Sequence, residues 1–120
     1  MTAAGNYLSS LADGAPKVII LVTDGIPTCG IADCDPAADI VNQCDDANAI
    51  AAVKLVHDAL GIPTFVVGIG IAPTGGGETT LSAMAVNGGY PRPASPVYYP
   101  VNSSADITSA FMAITATIAP

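Results

Sequence analysis

The chain has 120 residues, 51% of them apolar and only 11% charged, and ten acidic against three basic side chains give a formal net charge of −7. A chain of that length holds one modest domain burying roughly two thirds of the surface its unfolded form exposes, and its apolar content excludes disorder, because burying so much apolar surface offsets the entropy of ordering the chain. The acidic balance repels phosphate backbones and anionic headgroups, which argues against nucleic acid and membrane surfaces as partners, and no apolar run approaches the ~18 to 20 residues of a membrane span.

In chain order, residues 1–5 have neither the basic start nor the apolar stretch of a signal peptide, so any export signal of the parent lies elsewhere. Residues 2–12 are expected to form a helix that packs through Tyr7, Leu8 and Leu11 and ends near Gly14 and Pro16. The run Val18-Ile19-Ile20-Leu21-Val22 follows, within a strand at 17–23. It does not alternate, so it is expected to be a buried parallel strand covered by helices on both faces. After a loop at 24–44, Asp45 or Asp46 can cap a helix over Ile50, Val53, His57 and Leu60, and Gly61 supplies its left-handed stop. Pro63 opens a second strand, Thr64 to Gly70, and a Gly-rich loop leads to a short helix capped by Thr79 or Thr80 over Leu81, Met84 and Val86. Gly88 and Gly89 stop that helix. Four prolines between 91 and 100 make a partly extended connection into a weaker third strand, Val97 to Val101. Ser103 and Asp106 then have capping-box spacing ahead of an apolar stripe of Ile107, Phe111, Ile114 and Ile118. The order α-β-α-β-α-β-α predicts an α/β fold: a three-layer, doubly wound, mostly parallel sheet of about three strands with helices on both faces.

Functional groups of open α/β sheets gather at the carboxyl ends of the strands. Thr23-Asp24-Gly25 stands at that edge of the first strand, which makes Asp24 the leading candidate; the plainer alternative is an aspartate accepting backbone N–H bonds in the following turn. Cys29, Cys34 and Cys44 share the next loop with Asp33, Asp35 and Asp39. The cysteine spacing lacks the C-x2-C step of structural zinc sites, and zinc held by the three cysteines and His57 is the lesser reading beside one disulfide with a third thiol paired elsewhere. A disulfide implies an oxidising compartment, extracellular or cell envelope. The acidic residues of the loop fit no EF-hand pattern. Gly75-Gly76-Gly77 and the Gly68/Gly70 pair lack the residues that complete a phosphate-binding loop. One histidine, with no nucleophile paired in sequence to a base, argues against an enzyme. Asp24, Gly25 and Thr28 superficially resemble part of the haloacid-dehalogenase phosphatase motif, but Val22 occupies the nucleophile's position and cannot form a phosphoryl intermediate.

The segment Lys17 to Gly25, the helix at 46–60, the strand Pro63 to Gly70, the stretch Leu81 to Gly89 and the closing helix at 104–118 together resemble the second half of a von Willebrand factor A (VWA) domain. The resemblance implies a single partial domain over residues 1–120, comprising strands four to six of a sheet ordered 3-2-1-4-5-6. It implies a metal-dependent protein-binding or adhesion module whose metal-ion-dependent adhesion site (MIDAS) holds Mg²⁺, or Mn²⁺ or Ca²⁺, on hard oxygen ligands completed by an acidic side chain of the partner protein. Asp24 matches that family's aspartate after the fourth strand, and Thr2 is the nearest candidate for its loop threonine. No Asp-x-Ser-x-Ser occurs in the chain, so the expected site is incomplete and its cation affinity weak or absent. The alternative is a structural piece of a secreted or envelope protein with no working site. With no strand beside it, residues 17–23 would form an apolar sheet edge, a place for self-association.

Overall fold

The computed structural model describes residues 1–25, 46–71 and 76–119. Within them the elements are α1 (Thr2–Ser10), β1 (Ile19–Thr23), α2 (Asp46–Leu60), β2 (Thr64–Ile69), α3 (Gly76–Asn87), β3 (Tyr99–Val101) and α4 (Ser104–Ile118). This is the order expected from the sequence. The cysteine loop, the Asp45/Asp46 cap and Gly75 lie outside the described residues and side chains. The strands form one parallel sheet ordered β1-β2-β3, with Ile20 beside Phe65, Leu21 beside Val66, and Gly68 beside Pro100.

Because successive strand residues point to opposite faces, the sheet builds two cores. On one face Val66 packs with Val53 of α2, with Leu81, Met84 and Ala85 of α3, and with Tyr98; Leu21 of β1 and Met1 add to its margin. On the other, Phe65, Val67, Tyr99 and Val101 meet Ala110 and Ile114 of α4, with Val18 and Ile20 at the margin. Helices on both faces of a parallel three-stranded sheet make this a small three-layer α/β fold, as the element order implied.

The capping and stop signals explain the helix ends. Ser103 is extended, and its Oγ accepts from Asp106 N–H at 3.3 Å. The Asp106 carboxylate reaches back to the N–H of Asn102, at 2.9 Å, one residue earlier than in a standard box. Gly61 closes α2 with φ 67°, a conformation that costs a residue with a Cβ. The expected Gly88-Gly89 stop is also met, with Gly89 at φ 89°.

Several packing expectations are corrected. β1 is parallel but only half-buried, and Val22 is 46% exposed, because among the described residues β1 is an edge strand with a neighbour on one side. Tyr7 is exposed; α1 instead buries Gly5, whose missing side chain lets α1 approach Val56 and Leu60 of α2. In α2 the fully buried positions are Val53 and Val56, with His57 only half-buried. α3 starts at Gly76, ahead of Thr79, and turns Val86 outward while burying Ala85. In α4 the buried stripe runs through Ala110 and Ile114, leaving Ile107 and Phe111 partly exposed.

Candidate functional site

β1 carries Asp24 to the carboxyl edge of the sheet, at an exposed bend immediately after Thr23. The turn there is closed by its neighbour. Thr23 Oγ1 donates to Gly25 O at 3.0 Å and accepts from Gly25 N–H at 3.3 Å. This is Thr23's own side-chain turn; the N–H two residues after Asp24, which an aspartate turn would use, lies outside the described residues. The Asp24 carboxylate has no hydrogen bond or ion pair among the described residues, and it stands in water at the tip of the turn.

Thr2 is the exposed first residue of α1, after a Met1 cap that makes no side-chain hydrogen bond. An added Cβ at Gly5 would lie 2.9 Å from Val56 Cγ1 and 3.1 Å from Leu60 Cδ1, so the middle of α1 sits against the end of α2 that leads into β2 at the amino edge. Thr2 is about 4.5 Å of helix rise from Gly5, against about 15 Å from Val56 up to the start of α2. Among the described residues no hydrogen bond joins Thr2 to Asp24.

Asp24 suits a hard cation in kind but not in number: one carboxylate is one ligand, where Mg²⁺ takes six and Ca²⁺ six to eight. Among the described residues no three His, Cys, Asp or Glu side chains gather to hold a metal ion. His57 lies against Gly89, where a Cβ would be 2.5 Å from Nε2, and its Nδ1 is 3.2 Å from Asp58 Oδ1. The cysteines that a zinc site would add to it lie outside the described residues.

The charges around the edge are unevenly matched. Lys17 pairs with Asp13 and Lys54 with Asp58, each four residues apart, and Arg92 donates to the Pro96 carbonyl at 3.0 Å. The three basic side chains of the chain are thus engaged away from Asp24.

No family model, curated protein or solved structure matches this chain.

One feature of that edge has no counterpart among the sequence candidates. Past the carboxyl ends of β2 and β3, a cavity of about 450 Å³ opens between the first turns of α3 and the proline-rich connection, with Ile71, Glu78, Pro96, Tyr98, Pro100 and Asn102 in its wall. Glu78 is half-buried in the first turn of α3 and, among the described residues, takes a long hydrogen bond from Ser82 Oγ, 3.3 Å. Tyr98 is 2% exposed, and burial, with the Glu78 charge adding to it, pushes its phenol pKa up. The strand-end rule that singled out Asp24 applies equally to the residues after β2; a polyglycine reading of residues 75–77 passed over the acid that follows them.

Proposed function

We propose that the chain is part of a metal-dependent protein-binding module of the VWA type, acting outside the cytoplasm, in which Asp24 gives one oxygen ligand to a divalent cation such as Mg²⁺. Further ligands come from outside the described residues and from an acidic side chain of the partner protein. The observation that carries this reading is the placement of Asp24: exposed at the carboxyl edge, on a turn closed by Thr23, with its carboxylate unengaged among the described residues. The turn's Gly25 N–H is served by Thr23, so the Asp24 carboxylate is not spent on it. The parallel order β1-β2-β3 with helices on both faces supports the same reading, since it is the arrangement of the second half of such a sheet. Thr2, exposed at the start of α1, is the second candidate ligand.

Paramagnetic Mn²⁺ titration by NMR tests the proposal directly. The expected result is selective broadening of the Thr23, Asp24 and Gly25 amides at roughly millimolar Mn²⁺, the range of weak extracellular cation sites, and its loss in Asp24→Ala. Equal broadening in both proteins would remove Asp24 from any cation site and leave the chain as a structural α/β piece.

A further inference from the structure

We infer that the cavity beside Glu78 is a binding site for an organic cation: an ammonium or guanidinium group on an apolar stem, as a lysine or arginine side chain or a free alkylamine presents it. The inference stands apart from the metal reading of Asp24 and uses different residues.

The chemistry of the wall selects the ligand. A volume of about 450 Å³ lies within the roughly 300 to 1,000 Å³ of small-molecule sites. Ile71, Pro96 and Pro100 supply apolar surface, along which an aliphatic stem can lie while its charged end reaches polar partners. Those partners are all able to accept a hydrogen bond: the Glu78 carboxylate, the Tyr98 phenol oxygen and the side-chain oxygens of Ser95 and Asn102. No basic side chain lines the cavity. An anion would meet Glu78 with nothing to offset it, and a net charge of −7 repels anions further. A divalent metal ion would find a single carboxylate, the other oxygens of the wall being neutral, too little charge to replace its water.

Glu78 is half-buried and takes a 3.3 Å bond from Ser82 among the described residues, which leaves its carboxylate room for further donors. The Tyr98 ring is almost wholly buried, and its oxygen can accept from the same N–H⁺ group. The buried Tyr98 ring is held between the sheet and α3, where a Cβ at Gly68 would lie 3.0 Å from Tyr98 Cε2 and 2.6 Å from Leu81 Cδ2, so the hydroxyl is presented from a fixed wall.

The test uses the whole chain and three probes followed by amide chemical shifts: Nα-acetyl-lysine N-methylamide, its neutral isostere Nα-acetyl-norleucine N-methylamide, and n-butylamine. The lysine probe should shift the amides of Ile71, Glu78, Tyr98 and Asn102 with saturation, and the norleucine probe should not. Glu78→Gln, which keeps the shape of the side chain, should weaken the lysine probe by about tenfold, the loss of one hydrogen bond to a charged group. Tyr98→Phe should weaken it by a smaller factor, and Asp24→Ala should leave it unchanged. Tighter binding of the lysine probe than of butylamine assigns the site to a peptide side chain, and equal binding assigns it to free amines; either supports the inference. It is overturned if the norleucine probe binds equally well, if no shifts appear at the cavity, or if Asp24→Ala weakens the lysine probe as much as Glu78→Gln does.

Discussion

β1 and β2 are nearly the same kind of sequence, Ile-Ile-Leu-Val-Thr against Thr-Phe-Val-Val-Gly-Ile, and they pair in register, yet they are buried to different degrees. Phe65, Val66 and Val67 are all within 2% of full burial, whereas β1 is half-buried throughout and exposes Val22 by 46%. Composition does not separate them. Position does: β2 has a strand on each side and a helix layer on each face, while among the described residues β1 is bonded only to β2. An unbroken apolar run is the mark of a strand covered on both faces, so the half-exposed β1 marks surface that the described residues leave open. That surface adjoins the turn bearing Asp24.

The largest expected effect lies in the central strand. Phe65 stacks on Tyr90 at 5.0 Å between ring centroids and packs among Val67, Tyr99 and Ile114. Phe65→Ala should cost about 3 to 5 kcal/mol, the usual penalty for emptying a buried aromatic site, whereas Val22→Ala should cost less than about 1 kcal/mol, because the side chain already spends much of its surface in water. Urea melts of the two variants measure the contrast directly. Equal losses would mean that β1 is covered in solution.

Next in size is Gly68, where β2 depends on having no side chain. A Cβ there would stand 2.6 Å from Leu81 Cδ2, 2.9 Å from Ile71 Cγ1 and 3.0 Å from Tyr98 Cε2. Gly68→Ala should therefore destabilise by about 1 to 3 kcal/mol, as overpacking does, and should disturb the cavity that Ile71 and Tyr98 line. Its partner in β1, Thr23, is half-buried and already carries a side chain on the same face.

These contrasts show what could be read from the chain before its fold. The alternation of apolar runs with capped helices was enough for element order, parallel pairing and the two helix layers, since local signals such as Ser103, Gly61 and Gly89 act at short range. Burial was harder, because it depends on neighbours. Val56 is fully buried only because Gly5 lets α1 come close, and the stripe on α4 is centred on Ala110 and Ile114 rather than on the larger Phe111. Asp24 could be picked out because it ends a strand. The Glu78 cavity could not, because its wall is assembled from α3, the proline connection and the ends of two strands, which lie up to 31 residues apart from Ile71 to Asn102.

The exposed strand also tests its own openness through association. An apolar edge offers unpaired backbone groups to a second chain, and lysine on such a strand is a common guard against pairing. The chain should elute from size exclusion above its monomer mass at high concentration, and Val22→Lys should move it toward monomer with little change in urea midpoint. A concentration-independent monomer would mean that the β1 edge is already protected.

The smallest effect separates surface charge from core. Hydrogen bonding from Lys54 holds the Asp58 carboxyl below its ordinary value of 3.8, with the Lys54 charge and His57 adding to the shift, and Lys17 does the same to Asp13. A carboxyl whose folded pKa is depressed contributes stability that is fully present above its unfolded value and is lost as pH falls through the folded one. The contribution of Asp58 is therefore complete above about pH 4 and fades below it. It is small for two reasons: the pair is solvent-exposed, with side chains 57% and 50% accessible, and Asp58 lies near the C-terminus of α2, where the helix dipole disfavours an anion. Asp58→Asn should thus differ little from the parent at pH 7, and whatever difference exists should vanish by about pH 3 and shrink with added salt. A large loss at neutral pH that ignores salt would instead place Asp58 in a buried role, against its exposure on the outer side of α2.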